Sequence, residues 1–181
     1  KGAQNHTLRP KVHSHGEVAL AADILRNDLP PATRAAVSQL MRTTCIPFTN
    51  FRDGLAGYSS GGNVILCQNI NAAICALTWG KETGFDGWET IVDNTCDNVR
   101  QYLHNGCDDE GFSYEGTGYG EQVMQFIFLF CHLLRQARWH DDLLLTLPPL
   151  RRIPDAYQHM VLPDGSFAAT TNDSGHRAPM S

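Results

Sequence analysis

Three observations predict an all-α fold for this sequence. Apolar residues recur at three- and four-residue spacing in about six separate segments, the signature of amphipathic or buried helices. Gly- and Pro-rich stretches punctuate those segments where helices must stop. No strand-rich region precedes the C-terminal tail.

The first helix is expected in "EVALAADILRNDL" (17–29), with Val18, Ala21, Ala22 and Leu25 on one face. Pro30 and Pro31 break it, and proline suits the first turn of the next segment, "PATRAAVSQLMRTTC", where Ala35, Ala36, Leu40 and Met41 are apolar. "IPFTNFRDGLAGYSSGGN" then reads as a loop, long enough to suggest a function beyond connection. "NVILCQNINAAICALTWGKETG" (63–84) is a nearly all-apolar helix interrupted by Gln68, Asn69 and Asn71, and Gly84 is its expected C-terminal cap. "GWETIVDNTCDNVRQYLHNG" (87–106) is amphipathic through Ile91, Cys96, Val99 and Leu103.

After the Gly-rich stretch "DDEGFSYEGTGYGEQ" (108–122), "QVMQFIFLFCHLLRQARW" is apolar on most sides and is expected as an inner helix, with His132 as a core histidine. "HDDLLLTLPPLRRIPDAYQHMVL" starts helical and is expected to stop at Pro148 and Pro149. The tail "LPDGSFAATTNDSGHRAPMS" carries turn chemistry and β-type residues. A succession of helical hairpins joined by Gly-rich loops is what an (α/α) toroid would give, and 181 residues make only an incomplete one. The expected organisation is an N-terminal extension (1–16), a toroid-like helical domain (17–160) and a tail (161–181).

Composition narrows the function. Hydrophobic residues make up 42% and charged residues 18%, which is the balance of a chain with a core. The net charge of -5 argues against nucleic acid or an anionic membrane as a generic partner, although Arg135, Arg138, Arg151 and Arg152 fall near one another. No run of about 18 apolar residues occurs, so no membrane span is expected. "KGAQNHTLRPKVHSHGE" has no apolar signal-peptide core, which reads as a mature end or a cut piece. The six cysteines lack Cys-x-x-Cys spacing, and several fall at apolar helical positions, so buried reduced thiols are expected over a disulfide framework. No phosphate loop, dinucleotide fingerprint or Gly-x-Ser-x-Gly elbow is present.

Two constellations could carry chemistry. Gln68, Asn69 and Asn71 lie inside an apolar helix, where amides cost stability unless paired. They serve either hydrogen bonding between helices or recognition of a ligand carboxylate or hydroxyl. In the Gly-rich stretch, Asp108 and Asp109 suit a helix start. Glu115, Tyr114 and Tyr119 sit among glycines that let a polymer approach the backbone, and a tyrosine can act as general acid or base. A glycine turn with packed aromatics is the other reading. His13 and His15, with His6 upstream, lack a downstream ligand cluster, so no metal centre is expected. "HDD" (140–142) reads as a helix start, and the sequons at Asn5 and Asn172 are short matches.

Four segments in order resemble the heparinase II/III-like polysaccharide lyases: "ADILRNDLPPATRAAVSQLM", "NVILCQNINAAICALTWG", "DDEGFSYEGTGYGEQVM" and "LPDGSFAATTNDSG". The resemblance implies an α/α toroid followed by a β-sandwich domain, which is absent from these residues, and β-elimination on a uronate-containing acidic polysaccharide or oligosaccharide. It implies no cofactor, and a periplasmic or secreted location. By motif position Asn69 would neutralise the uronate carboxylate and Tyr119 would transfer the proton. Glu115 would organise the site, and Gln68, Asn71 and Tyr114 would contact substrate. Ile70 stands where the family has Trp or His, Gly120 and Gln122 where aromatics are common, and "TNDS" where the family has "G-D-S", leaving Asp173 and Ser174 matched. The chain is thus either a fragment or a reduced relative.

Two other functions stay open on the sequence. A toroid glycoside hydrolase would pair Glu115 with Asp108 or Asp109. A non-catalytic glycan-binding helical domain would bind without turnover.

Overall fold

The computed structural model describes residues 15–47, 63–111, 113 and 116–159, with backbone alone at 63 and 116–119. The helices are α1 (His15–Ile24), α2 (Pro31–Leu40), α3 (Asn63–Thr83), α4 (Trp88–Gly106), α5 (Gly116–Gln136), the single turn α6 (Leu143–Thr146) and α7 (Pro148–Gln158). A π-helical turn, Met41–Cys45, continues directly from α2. Among the described residues there is no strand, only an isolated antiparallel bridge between Cys107 and Ser113, so the all-α class holds. No described helix is long and apolar enough to cross a membrane. The chain divides into two compact units, Lys1–Phe51 with Cys67–Thr95, and Arg52–Leu66 with Cys96–Ser181.

In the first unit the long helix α3 supplies the core, burying Ile70, Ala72, Ala73, Ile74, Cys75, Ala76 and Trp79. Here α1 departs from the sequence expectation. It ends at Ile24 rather than Leu29, and it buries Gly16, Ala19 and Ala22 while Val18 and Leu25 stay half exposed. The reason is close approach through small residues. The Gly16 N–H donates to Asn71 Oδ1 at 2.9 Å, and the Trp79 indole N–H donates to the Ala19 carbonyl at 3.0 Å. Large side chains on that face would hold the helices too far apart for either bond.

α2 also differs from expectation. It opens with Pro31 in its first turn as predicted, yet it buries none of its residues. Ala35, Ala36 and Leu40 face outward. Burial resumes only in the π turn and just beyond, at Met41, Cys45 and Ile46. A π turn bonds five residues back and so shifts the helical phase. The Ile46 N–H donates to the Met41 carbonyl at 2.9 Å and closes that wider ring. An acid–base cluster ties α1 and α2 to the end of α3. Glu82 accepts from Arg34 at 2.8 and 2.9 Å and also from Arg26. The Arg26 guanidinium reaches Asp23 and the Thr78 carbonyl and lies 4.2 Å from the Trp79 ring centroid.

The passage from α3 to α4 follows the sequence closely. Gly84 (φ +60°) caps α3 as expected, and Gly87 (φ +76°) turns the chain into α4. Gly80 lies against Trp88, where a Cβ would come within 2.6 Å of the indole. Only glycine lets the tryptophan close over the end of α3.

In the second unit α5 buries Val123, Met124, Ile127, Phe130, Cys131 and Leu134, with Val99, Tyr102 and Leu103 of α4 also in the core. His132 is exposed, against the expectation of a core histidine, because it falls one residue past the buried stripe of α5. The expected stop at Pro148 and Pro149 holds for α6, which ends at Thr146, but the helix that follows had no sign in the sequence. Those prolines occupy the first turn of α7, where a missing N–H costs nothing, and the helix runs on through Pro154 to bury Leu150, Ile153 and Ala156.

Candidate functional site

The best-defined polar centre lies in the second unit, where the Gly-rich stretch meets the ends of α4, α5 and α7. Asp108 builds its first turn: its Oδ1 accepts the Glu110 N–H at 3.0 Å, and its carbonyl accepts the Gly111 N–H at 3.1 Å. This corrects the expected helix-start role of Asp108 and Asp109, since α5 begins only at Gly116. A short aspartate side chain reaches a backbone N–H two residues on more readily than one eight residues away. Arg152 anchors the same turn by donating to the Asp109 carbonyl at 2.6 Å. Gly111 sits at φ +94°, and a Cβ there would lie 2.9 Å from the Ile153 backbone nitrogen, so both conformation and space require glycine.

The Cys107–Ser113 bridge then carries the chain back toward α4, and the Ser113 and Tyr157 hydroxyls lie against Gly120. The Tyr102 hydroxyl and Ser113 Oγ share a hydrogen bond of 3.1 Å. A Cβ on Gly120 would lie 2.7 Å from Ser113 Cβ, 2.8 Å from the Tyr157 hydroxyl oxygen and 3.1 Å from Ser113 Oγ. The Tyr157 hydroxyl is held well above the ordinary tyrosine range, chiefly by burial and further by the negative ends of Cys107 and Glu121. At neutral pH it therefore keeps its proton and stays a neutral hydroxyl. Sequence reasoning missed Tyr102, Ser113 and Tyr157, which are dispersed along the chain. Its one local trace was Gly120, standing where an aromatic was expected. No side chain fits there.

The amides of α3 lie in the first unit. Asn71 is fully buried and spent on the protein itself: its amide N–H donates to the Cys67 carbonyl at 2.8 Å, and its oxygen takes the Gly16 N–H. Asn69 is fully buried, and its carbonyl accepts from the Thr95 hydroxyl at 3.3 Å. Gln68 is half-buried. Tyr119 belongs to the first turn of α5, and its side chain lies outside the described residues, as do Tyr114, Glu115, His6, His13, Asp173 and Ser174.

Three of the neighbouring arginines have partners within the chain, Arg152 through the Asp109 carbonyl. Arg135 pairs with Asp142 at 3.3 Å, and Arg151 donates to the Leu144 and Leu145 carbonyls at 3.3 and 3.0 Å. "HDD" serves ion pairing more than capping: Asp141 takes Arg100, and Asp142 makes no side-chain cap to α6. All six cysteines are buried, with no disulfide among them, in keeping with the reduced-thiol expectation. Cys131 is pushed up to about 12 by burial and by the charges of Asp142 and Asp141. Among the described residues no group of three or more His, Cys, Asp or Glu side chains converges as a metal site.

No family model, no curated protein and no solved structure matches this chain.

Proposed function

We propose that the chain is the helical part of a polysaccharide lyase, arranged as a partial α/α toroid, that cleaves a uronate-containing acidic glycan by β-elimination. The observation that carries this reading is the ordered run of four lyase-like segments, the third of which forms the Gly-rich turn and first turn of α5. The Ser113 hydroxyl, bonded to Tyr102, and the Tyr157 hydroxyl support it, since both lie against Gly120, one residue from Tyr119.

In the proposed reaction the uronate carboxylate is neutralised by hydrogen bonding, so that charge developing on it during proton loss is stabilised. Asn69 has this role, and its burial means that substrate must uncover it; Gln68 is the more accessible neighbouring amide. Tyr119 takes the C5 proton and passes one to the leaving oxygen at C4. The C4–O bond breaks, and the electrons of the C5–H bond become the C4=C5 double bond. Glu115 and Tyr114 orient the sugar. No redox cofactor enters the balance. On this reading the protein works in the periplasm or outside the cell, where such glycans occur.

The test is incubation with a panel of uronate polymers, following the ultraviolet absorbance of the unsaturated uronate. Absorbance should rise with the natural sequence and be lost with Tyr119→Phe. Reducing ends without the chromophore would replace the proposal with a glycoside hydrolase, and binding without turnover with a glycan-binding domain.

A further inference from the structure

Between Glu121 and Asp141 the chain carries no acidic residue, and the later part of that stretch is basic. His132, Arg135, Gln136 and Arg138 are all exposed, and the half-buried Trp139 and exposed His140 follow them. His132, Arg135 and Gln136 stand at three- and four-residue spacing, so they share one face of α5. At 1.5 Å per residue, Gln136 lies about 25 Å along the helix from Tyr119. This end of α5 is therefore well removed from the turn assigned to the elimination.

The helix stops here in an uncommon way. The Arg138 N–H donates to the Arg135 carbonyl at 3.1 Å, and the Trp139 N–H donates to the Leu134 carbonyl at 2.9 Å. This pair of bonds needs one residue in the left-handed region, and glycine ordinarily fills that place, as Gly84 does after α3. In α5 the residue is Arg138, at φ +53°. A side chain in that conformation costs stability, and the Arg138 guanidinium makes no offsetting hydrogen bond or ion pair among the described residues. The negative end of the helix is already met by Arg135 in the last turn. The fold itself thus gives no reason for an arginine at this position.

The surroundings suit an anionic ligand. The two acids that follow are engaged with other cations: Asp141 accepts from Arg100, and Asp142 pairs with Arg135 at 3.3 Å. The Trp139 and His140 rings lie side by side, with centroids 5.2 Å apart and a tilt of 35°. A guanidinium binds a carboxylate or sulfate through two parallel N–H donors. An adjacent aromatic ring offers apolar area to the C–H face of a sugar. Single-stranded nucleic acid would call for a row of stacking rings in a positive groove. One tryptophan on a chain of net charge -5 fits a glycan better.

We infer that the end of α5 is a second contact for an acidic polysaccharide, with Arg138 binding a uronate carboxylate or sulfate and Trp139 taking the sugar ring. The identity of the anion rests on the lyase reading; the contact surface does not.

The experiment is native electrophoresis of the whole chain through gels containing alginate, heparin, neutral dextran or polythymidylate. Alginate or heparin should retard the protein, and dextran should not. Arg138→Gly should weaken that binding about fivefold or more. Its melting temperature should be unchanged or higher, because glycine is at ease at a positive φ. Trp139→Ala should weaken binding as well, and Arg138→Gly decides the matter even if the tryptophan variant does not fold. Undiminished binding in Arg138→Gly, a lowered melting temperature in that variant, or no retardation by either acidic glycan overturns the inference. Tighter retention by polythymidylate than by either glycan overturns it in favour of a nucleic-acid surface. Binding that depends on Arg138 without any unsaturated product would end the lyase reading and leave this contact standing. Turnover with binding indifferent to Arg138 would do the reverse.

Discussion

Gly16 and Asn71 are locked to each other: the glycine N–H donates to Asn71 Oδ1 at 2.9 Å, and a Cβ on Gly16 would fall 2.6 Å from that same oxygen. Replacing Asn71 by Ala leaves a buried N–H without its acceptor and a gap in the core. The expected cost is about 2–4 kcal/mol of unfolding free energy. Gly16→Ala forces the helices apart instead and should cost about 1–3 kcal/mol. Urea unfolding of both variants checks this, and a midpoint unchanged from the natural sequence in either would contradict it.

Glu82 predicts an acid-side loss of stability. Its carboxyl is held below the ordinary glutamate value, first by hydrogen bonding from Arg34, with burial opposing and the charges of Arg26 and Arg34 assisting. A depressed folded value means that this stabilisation is complete above the unfolded-state value of about 4.3 and fades as the pH falls through the folded one. Thermal melts at a series of acidic pH values should show a shallower loss in Glu82→Gln, the two proteins converging at the acid end. Parallel curves would show that the cluster contributes nothing.

At the alkaline end Tyr157 has the opposite sign. Its folded value is raised, so the neutral phenol favours the fold; this contribution is intact below the unfolded-state value of about 10 and drains away as the pH climbs toward the folded one. Tyr157→Phe should flatten the decline of the melting temperature above about pH 10. An unaltered decline would assign it to other groups.

The helices α3, α4 and α5 were legible in the sequence because each is a long periodic run, and Gly84 ends α3 with the left-handed φ such a cap needs. The faces of α1 and α2 were not. Hydrophobicity pointed to Val18 and Leu25, whereas contact runs through Gly16 and Ala19, residues whose value is their lack of bulk. Nor does any single helical period carry across Leu40 into the π turn, so Ala35 and Ala36 looked continuous with Met41 and are not. The polar centre was half legible. The stretch around Asp108 announced itself, but Tyr157 joins it only through the fold of α7, which its two leading prolines disguised as a stop.

The seating of Trp88 on Gly80 has a consequence for the order of events in folding. These residues are eight apart in sequence, and little chain entropy is lost in bringing them together. Gly16 and Asn71 are 55 apart and meet at a greater entropic cost. The turn between α3 and α4 is therefore expected to form before the transition state and the docking of α1 after it. In stopped-flow kinetics, Gly80→Ala should chiefly slow refolding, while Asn71→Ala should chiefly speed unfolding. The reverse pattern would place the nucleus at α1, making the N-terminal helix the part of the chain on which the rest assembles.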